Sequence, residues 1–123
     1  MRRLQQVAQG VTDLDRAVLF YRDVLDCRLL ARFDPPGLAF FDLDGVRLLL
    51  EVGALPCLLY FDVDDIDATR AHLIERGVEF LDESRLIHRD HDGVFGPPGN
   101  ETWMSFFKDS EGNIVALAER KIV

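Results

Sequence analysis

The chain of 123 residues, 48% hydrophobic and 29% charged, has the composition of an ordinary globular protein and the length for one domain with a real core. Its 22 acidic residues against 14 basic ones give a formal charge of −8 and a pI near 4.7, which argues against nucleic acid and anionic membrane as partners, since both would be repelled. No apolar run reaches the length of a bilayer span and no signal-peptide core follows Met1-Arg2-Arg3; Cys27 and Cys57 lack metal spacing, so a cytoplasmic protein with reduced thiols is expected.

The first strand is expected over about residues 4–11 and runs into Val11-Thr12-Asp13-Leu14-Asp15. Leu14, Ala17, Val18, Tyr21, Val24 and Leu25 then fall at the spacing of one helix face, with Asp13 as N-cap, Asp15 as a favourable charge in the first turn and Asp26 at the left-handed stop. Strand-like runs follow over about 28–33, 37–43 and 46–52. A strand over about 57–63 leads into Val63-Asp64-Asp65-Ile66-Asp67, a second copy of the first phrase. The helix after it has Ile66, Thr69, Leu73 and Ile74 inside, Asp65 as cap and Gly77 as stop. Strands are expected over about 78–91, with a break near Asp82-Glu83, then 102–108 and 113–119. Phe40-Phe41-Asp42-Leu43-Asp44-Gly45 also returns, one residue longer, as Phe106-Phe107-Lys108-Asp109-Ser110-Glu111-Gly112.

The order strand, helix, strand, strand, strand, used twice, predicts an α+β fold. Two tandem β-α-β-β-β modules, about 4–52 and 57–119, would form curved mixed sheets in a single domain, 1–123, with helices outside. Each helix covers one sheet face, so the two bare faces are expected to enclose a shared cleft.

Strand alternation assigns side chains to that cleft. Arg47, Leu49 and Glu51 share a face, where Arg47 and Glu51 either pair with each other or hold a substrate carboxylate. Tyr60 and Asp62 follow Leu58 into the cleft, while Leu59, Phe61 and Val63 form core. Gln9, between Val7 and Val11, faces the first helix as a structural amide that needs a partner. In Leu86-Ile87-His88-Arg89-Asp90-His91, alternation groups His88 with Leu86 and Asp90, so one of the two histidines should face the cleft. His88 is the candidate, because a neutral imidazole serves as a general base near physiological pH; two solvated edge histidines are the alternative, and His72 is expected in solvent. Glu101 and Trp103 form either a wall for an apolar ligand with one polar handle or a core indole beside an exposed carboxylate. The stretch Gly93-Val94-Phe95-Gly96-Pro97-Pro98-Gly99-Asn100 reads as a lid or as an ordinary surface loop.

The duplication, the phrase Val11-Thr12-Asp13-Leu14-Asp15 with Ala17-Val18-Leu19-Phe20-Tyr21-Arg22-Asp23-Val24-Leu25 after it, and the closing Phe107-Lys108-Asp109-Ser110-Glu111-Gly112-Asn113 resemble the vicinal oxygen chelate superfamily over nearly the whole chain. That group includes glyoxalase I, methylmalonyl-CoA epimerase, extradiol dioxygenases, fosfomycin-modifying enzymes and bleomycin-binding proteins. The resemblance implies a divalent metal held by four ligands, two on each module. Placed on that pattern, Gln6 takes the first position and Leu58 its repeat mate, Glu51 an acidic position and Ala116 the other. Leucine and alanine are not donors, so no cofactor is expected, while a divalent metal stays open through Gln6, Glu51 and His88. The reading is a glyoxalase-like enzyme of lyase or isomerase type, moving a proton beside a carbonyl of a small oxygen-rich metabolite. Glu51 and His88 would be its acid and base, and Gln6, Arg47, Tyr60, Glu101 and Trp103 would shape the pocket. The alternatives are a non-catalytic binder of small molecules such as antibiotics, and a homodimer whose cleft a second chain completes.

Overall fold

The computed structural model describes residues 1–123 as two compact units, Met1–Cys57 with Asp109–Asn113, and Leu58–Lys108 with Ile114–Val123. No helix is long and apolar enough to cross a membrane.

In the first unit, β1 (Gln6–Val11), α1 (Leu14–Leu19), β2 (Arg28–Phe33), β3 (Leu38–Leu43) and β4 (Val46–Val52) build a four-stranded sheet in the order β1-β4-β3-β2. β1 runs parallel to β4 while the other pairs are antiparallel. Asp13 caps α1, its side chain accepting from Arg16 N at 3.1 Å. The helix expected through Leu25 changes character at Phe20, because Phe20–Val24 winds as a wider π turn. Asp26 follows at φ 59, the left-handed stop read from sequence.

The helix-facing layer contains Ala39, Phe41, Leu48 and Leu50 against Ala17, Val18 and Tyr21, all buried. Gln9 is fully buried there, and both ends of its amide are used: Nε2 donates to Cys57 O at 2.9 Å and Oε1 accepts from Cys57 N at 2.8 Å. The Tyr21 hydroxyl donates to Asp109 at 2.7 Å. Asp109 also accepts the Glu111 and Asn113 amides at 2.8 Å each, which shapes a turn whose Glu111 accepts from Thr12 N and Asp13 N at the start of α1. The closing Asp-Ser-Glu-Gly-Asn motif is therefore a fastening for this unit.

In the second unit, β5 (Leu59–Asp62), α2 (Ile66–Glu75), β6 (Arg85–Arg89), β7 (Glu101–Lys108) and β8 (Ile114–Lys121) repeat the arrangement as β5-β8-β7-β6. Asp65 caps α2, accepting from Ala68 N at 3.0 Å, and Ile66 N donates to Glu119 at 2.8 Å. Gly77, at φ 89, ends it as expected. Ile66 and Leu73 of α2 are buried, as are Phe107, Val115 and Leu117 of the sheet. The strand expected over 78–91 does break near Asp82-Glu83: the part after the break is β6, and the part before it keeps one bridge, Phe80 to Phe107. Each unit is a β-α-β-β-β module with a mixed sheet, so the α+β reading stands.

Replacing Gln9 with Leu keeps the volume and leaves the Cys57 N–H and C=O without their partners. Unfolding by urea should show a loss of about 1–3 kcal/mol. A change within about 0.5 kcal/mol, the range of an indifferent surface substitution, would mean that the bridge contributes nothing.

Candidate functional site

Strand register decides which side chains of the second unit avoid the helix. Tyr60 pairs with Ala116 and Ala116 with Phe106; Asp62 pairs with Ala118 and Ala118 with Met104; Arg120 pairs with Thr102 and Thr102 with His88. Paired residues point to the same side of a sheet, so these form the bare face. On it lies a cavity of about 620 Å³, with apolar walls from Ile87, Phe95, Met104 and Ala118 and polar groups from Asp62, His88, Thr102 and Arg120.

His88 reaches the cavity for a reason that strict alternation misses. Leu86 pairs with Trp103 and His88 with the adjacent Thr102, so Ile87 is an extra residue in β6. This bulge sends Leu86 to the helix side, separates it from His88, and brings both Ile87 and His88 to the cavity. β2 carries the same irregularity between Leu29 and Ala31. The Phe95 ring stands edge-on to His88 at 6.0 Å between centroids, although Phe95 itself is 70% exposed.

Phe95 belongs to the predicted lid, and Asp90 holds that loop. The Asp90 carboxylate accepts from Val94 N at 2.8 Å and Phe95 N at 2.9 Å; its backbone accepts from Gly99 N and donates to Asn100 O. Arg120 closes the arrangement, donating to Asp90 at 2.7 Å, with the Asp90 side chain only 2% exposed. Gly96, at φ 156, lies flat on the guanidinium: a Cβ there would meet Arg120 Nη2 at 3.0 Å. Asp90 was absent from the sequence-derived candidates, since its partners are backbone amides and an arginine on a distant strand.

The other candidates scatter. Tyr60 is 55% exposed on the bare face, edge-on to Phe106, and outside the cavity lining. Glu101 and Trp103 lie on the opposite face, because Glu101 pairs with Lys121 and Trp103 with Glu119. There Trp103 Nε1 donates to Glu101 at 3.1 Å, Arg89 pairs with Glu101, and Lys121 sits 4.4 Å over the indole. Their expected role as a pocket wall gives way to an ion-pair and cation–π cluster on the helix side. His91 and His72 are exposed. In the first unit, Gln6, Arg47 and Glu51 share the bare face with Leu38, Phe40 and Leu49, and Arg47 lies 5.9 Å from the Phe40 ring centre.

The residues do not fit the metal that the fold implies. Gln6 pairs with Arg47, whereas Glu51 pairs with Gly10 four residues further along β1, which separates the two strand positions by roughly 13 Å. In the second unit the residue equivalent to Glu51 is Ala118, paired with Asp62 as Glu51 is with Gly10, and not Ala116 as counted from the glycine. Leu58, Ala116 and Ala118 all lack donors. No three His, Cys, Asp or Glu side chains gather anywhere as a potential metal site.

The family model of the glyoxalase/bleomycin resistance protein/dioxygenase superfamily matches residues 3–51. A lactoylglutathione lyase from Agrobacterium tumefaciens is similar in structure, with TM-score 0.73, 24% identity, 97% of this chain and 94% of that one covered. TnmS3, an antibiotic binding protein from Streptomyces sp. CB03234, gives TM-score 0.73, 24% identity and 98% of both chains. An integron cassette protein from the mobile metagenome of V. cholerae gives TM-score 0.76, 16% identity, and 97% and 95% coverage. No curated protein matches the chain. These likenesses give the chain the glyoxalase fold, and the match to the family model lies within its first module.

Asp90 and Glu111 are the carboxylates held farthest below the usual range. The Arg120 hydrogen bond holds the Asp90 carboxyl down at about 2, against burial, with help from the Phe95 and Val94 amides. Burial would raise Glu111, but Arg16 and the amides of Asp13 and Thr12 outweigh it and bring Glu111 also to about 2. A depressed folded pKa stabilises above the unfolded value and loses that contribution as pH falls toward the folded one. The melting temperature should therefore drop between about pH 5 and pH 2, and Asp90→Asn should flatten the decline. A variant curve parallel to the wild type would contradict the assignment to Asp90.

Proposed function

We propose that the second unit's cavity binds a small organic molecule without a metal, making the protein a binder on the glyoxalase fold. The observation that carries this reading is the cavity itself. Its volume of about 620 Å³ falls in the range of small-molecule sites, and mostly apolar walls with a few convergent polar groups are what such sites use. The donor set suits noncovalent recognition better than the metal chemistry of the superfamily, and the likeness to an antibiotic binding protein agrees. Cys27 and Cys57 are free thiols, which agrees with a cytoplasmic location.

One observation favours a second reading, a lyase or isomerase. His88 presents an imidazole to the same cavity, where it could take a proton from a carbon beside a carbonyl. In that case the base is His88, and Glu51 keeps its proposed acid role only on its own face of the first unit.

A thermal-shift screen of metabolites and antibiotics, run with excess EDTA, separates these readings. A ligand present at 100 times its Kd should stabilise the protein by about 2.7 kcal/mol, persist in chelator, be recovered unchanged, and weaken with Phe95→Ala. Turnover lost in His88→Ala would establish the second reading instead. Stabilisation only after adding metal would overturn both.

A further inference from the structure

The cavity holds one guanidinium, and the fold has already committed its charge. Arg120 donates Nη2 to Asp90 at 2.7 Å, and its Nε is buried without a partner. Gly96 seals one side of the same group, close enough that a Cβ would stand 3.2 Å from Nε. A ligand anion therefore meets a cation whose charge is cancelled and whose approach is partly closed. The acidic group that shares the bare face with Arg120 is Asp62, which is exposed there and enters none of the unit's ion pairs. Glu119, paired with Trp103 on the helix side, spends its carboxylate on Ile66 N at 2.8 Å.

We infer that Asp90 is a specificity-determining residue: by pairing with Arg120 it makes the cavity select an apolar ligand with an amine or neutral polar end, and reject one with a carboxylate. This rests on the small-molecule reading above. Asp90 touches no ligand. It acts through Arg120, and through the Val94 and Phe95 amides that fix the Phe95 wall. A like charge next to Asp62 costs affinity, and removing the Asp90 charge returns a free guanidinium to the site, the best side chain for a carboxylate.

The test uses three probes with one apolar body: 2-(1-naphthyl)ethylamine, 2-(1-naphthyl)ethanol and 1-naphthylacetate, measured by calorimetry on the full chain. Wild type should bind the amine at least as well as the alcohol, and both better than the carboxylate. Asp90→Asn should improve the carboxylate relative to the amine by about tenfold. Asp62→Asn, an exposed change that leaves the fold alone, should reduce the amine's advantage over the alcohol by roughly two- to fivefold. Circular dichroism establishes that each variant is folded, and if Asp90→Asn is not, Arg120→Gln replaces it and should leave the carboxylate excluded. A wild-type preference for the carboxylate, or an order unchanged in both Asp variants, overturns the inference while the cavity remains a binding site. Failure of all three probes to bind wild type overturns the small-molecule reading as well.

Discussion

A single helix can cover only one face of a four-stranded sheet. That constraint acts twice in this chain. In each unit it turns the period-two alternation of the strands into two populations: Leu48, Leu50 and Phe41, or Val115, Leu117 and Phe107, buried against the helix, and another set left facing away. The first kind is spent on folding, which leaves the second kind, with the loops beside it, free to meet a ligand. The sequence differences between the units matter there. The first unit presents Leu49 and Glu51 where the second presents Ala116 and Ala118, and the small side chains of the second leave the space that its cavity occupies.

The scaffold was readable because its signals are local. Asp13 and Asp65 cap helices within three residues of themselves, and Asp26 and Gly77 occupy left-handed positions that few other residues tolerate. Gln9 was readable too, as a polar group in an apolar layer that had to be satisfied; its partner, the Cys57 backbone, was not. The bulge at Ile87 was hidden, since an extra strand residue has no compositional mark in Leu86-Ile87-His88-Arg89. It shifts every later side chain in the strand by one step. Trp103 was misplaced for a related reason: alternation pairs it with Glu101 but gives no phase, and the phase comes from β8.

The candidate site was half legible. His88 was named on chemistry, Asp62 on strand alternation and the loop around Phe95 on its composition, and all three line one cavity or its rim. Asp90 was not, although it organises the region, because a carboxylate bound to loop amides and to an arginine thirty residues later looks in sequence like any acidic residue before a turn. The metal site failed in the opposite way. Its candidates Gln6 and Glu51 were sensible donors on one face, and only the register places them too far apart along parallel strands to share an ion.

The central claim is that recognition belongs to the bare face of the second unit. Two-dimensional amide NMR of isotopically labelled protein, titrated with 2-(1-naphthyl)ethylamine, tests it most directly. The account predicts shifts concentrated at Asp62, Ile87, His88, Phe95, Thr102, Met104 and Ala118, saturating together. Shifts centred instead on Gln6, Arg47 and Glu51 would contradict it.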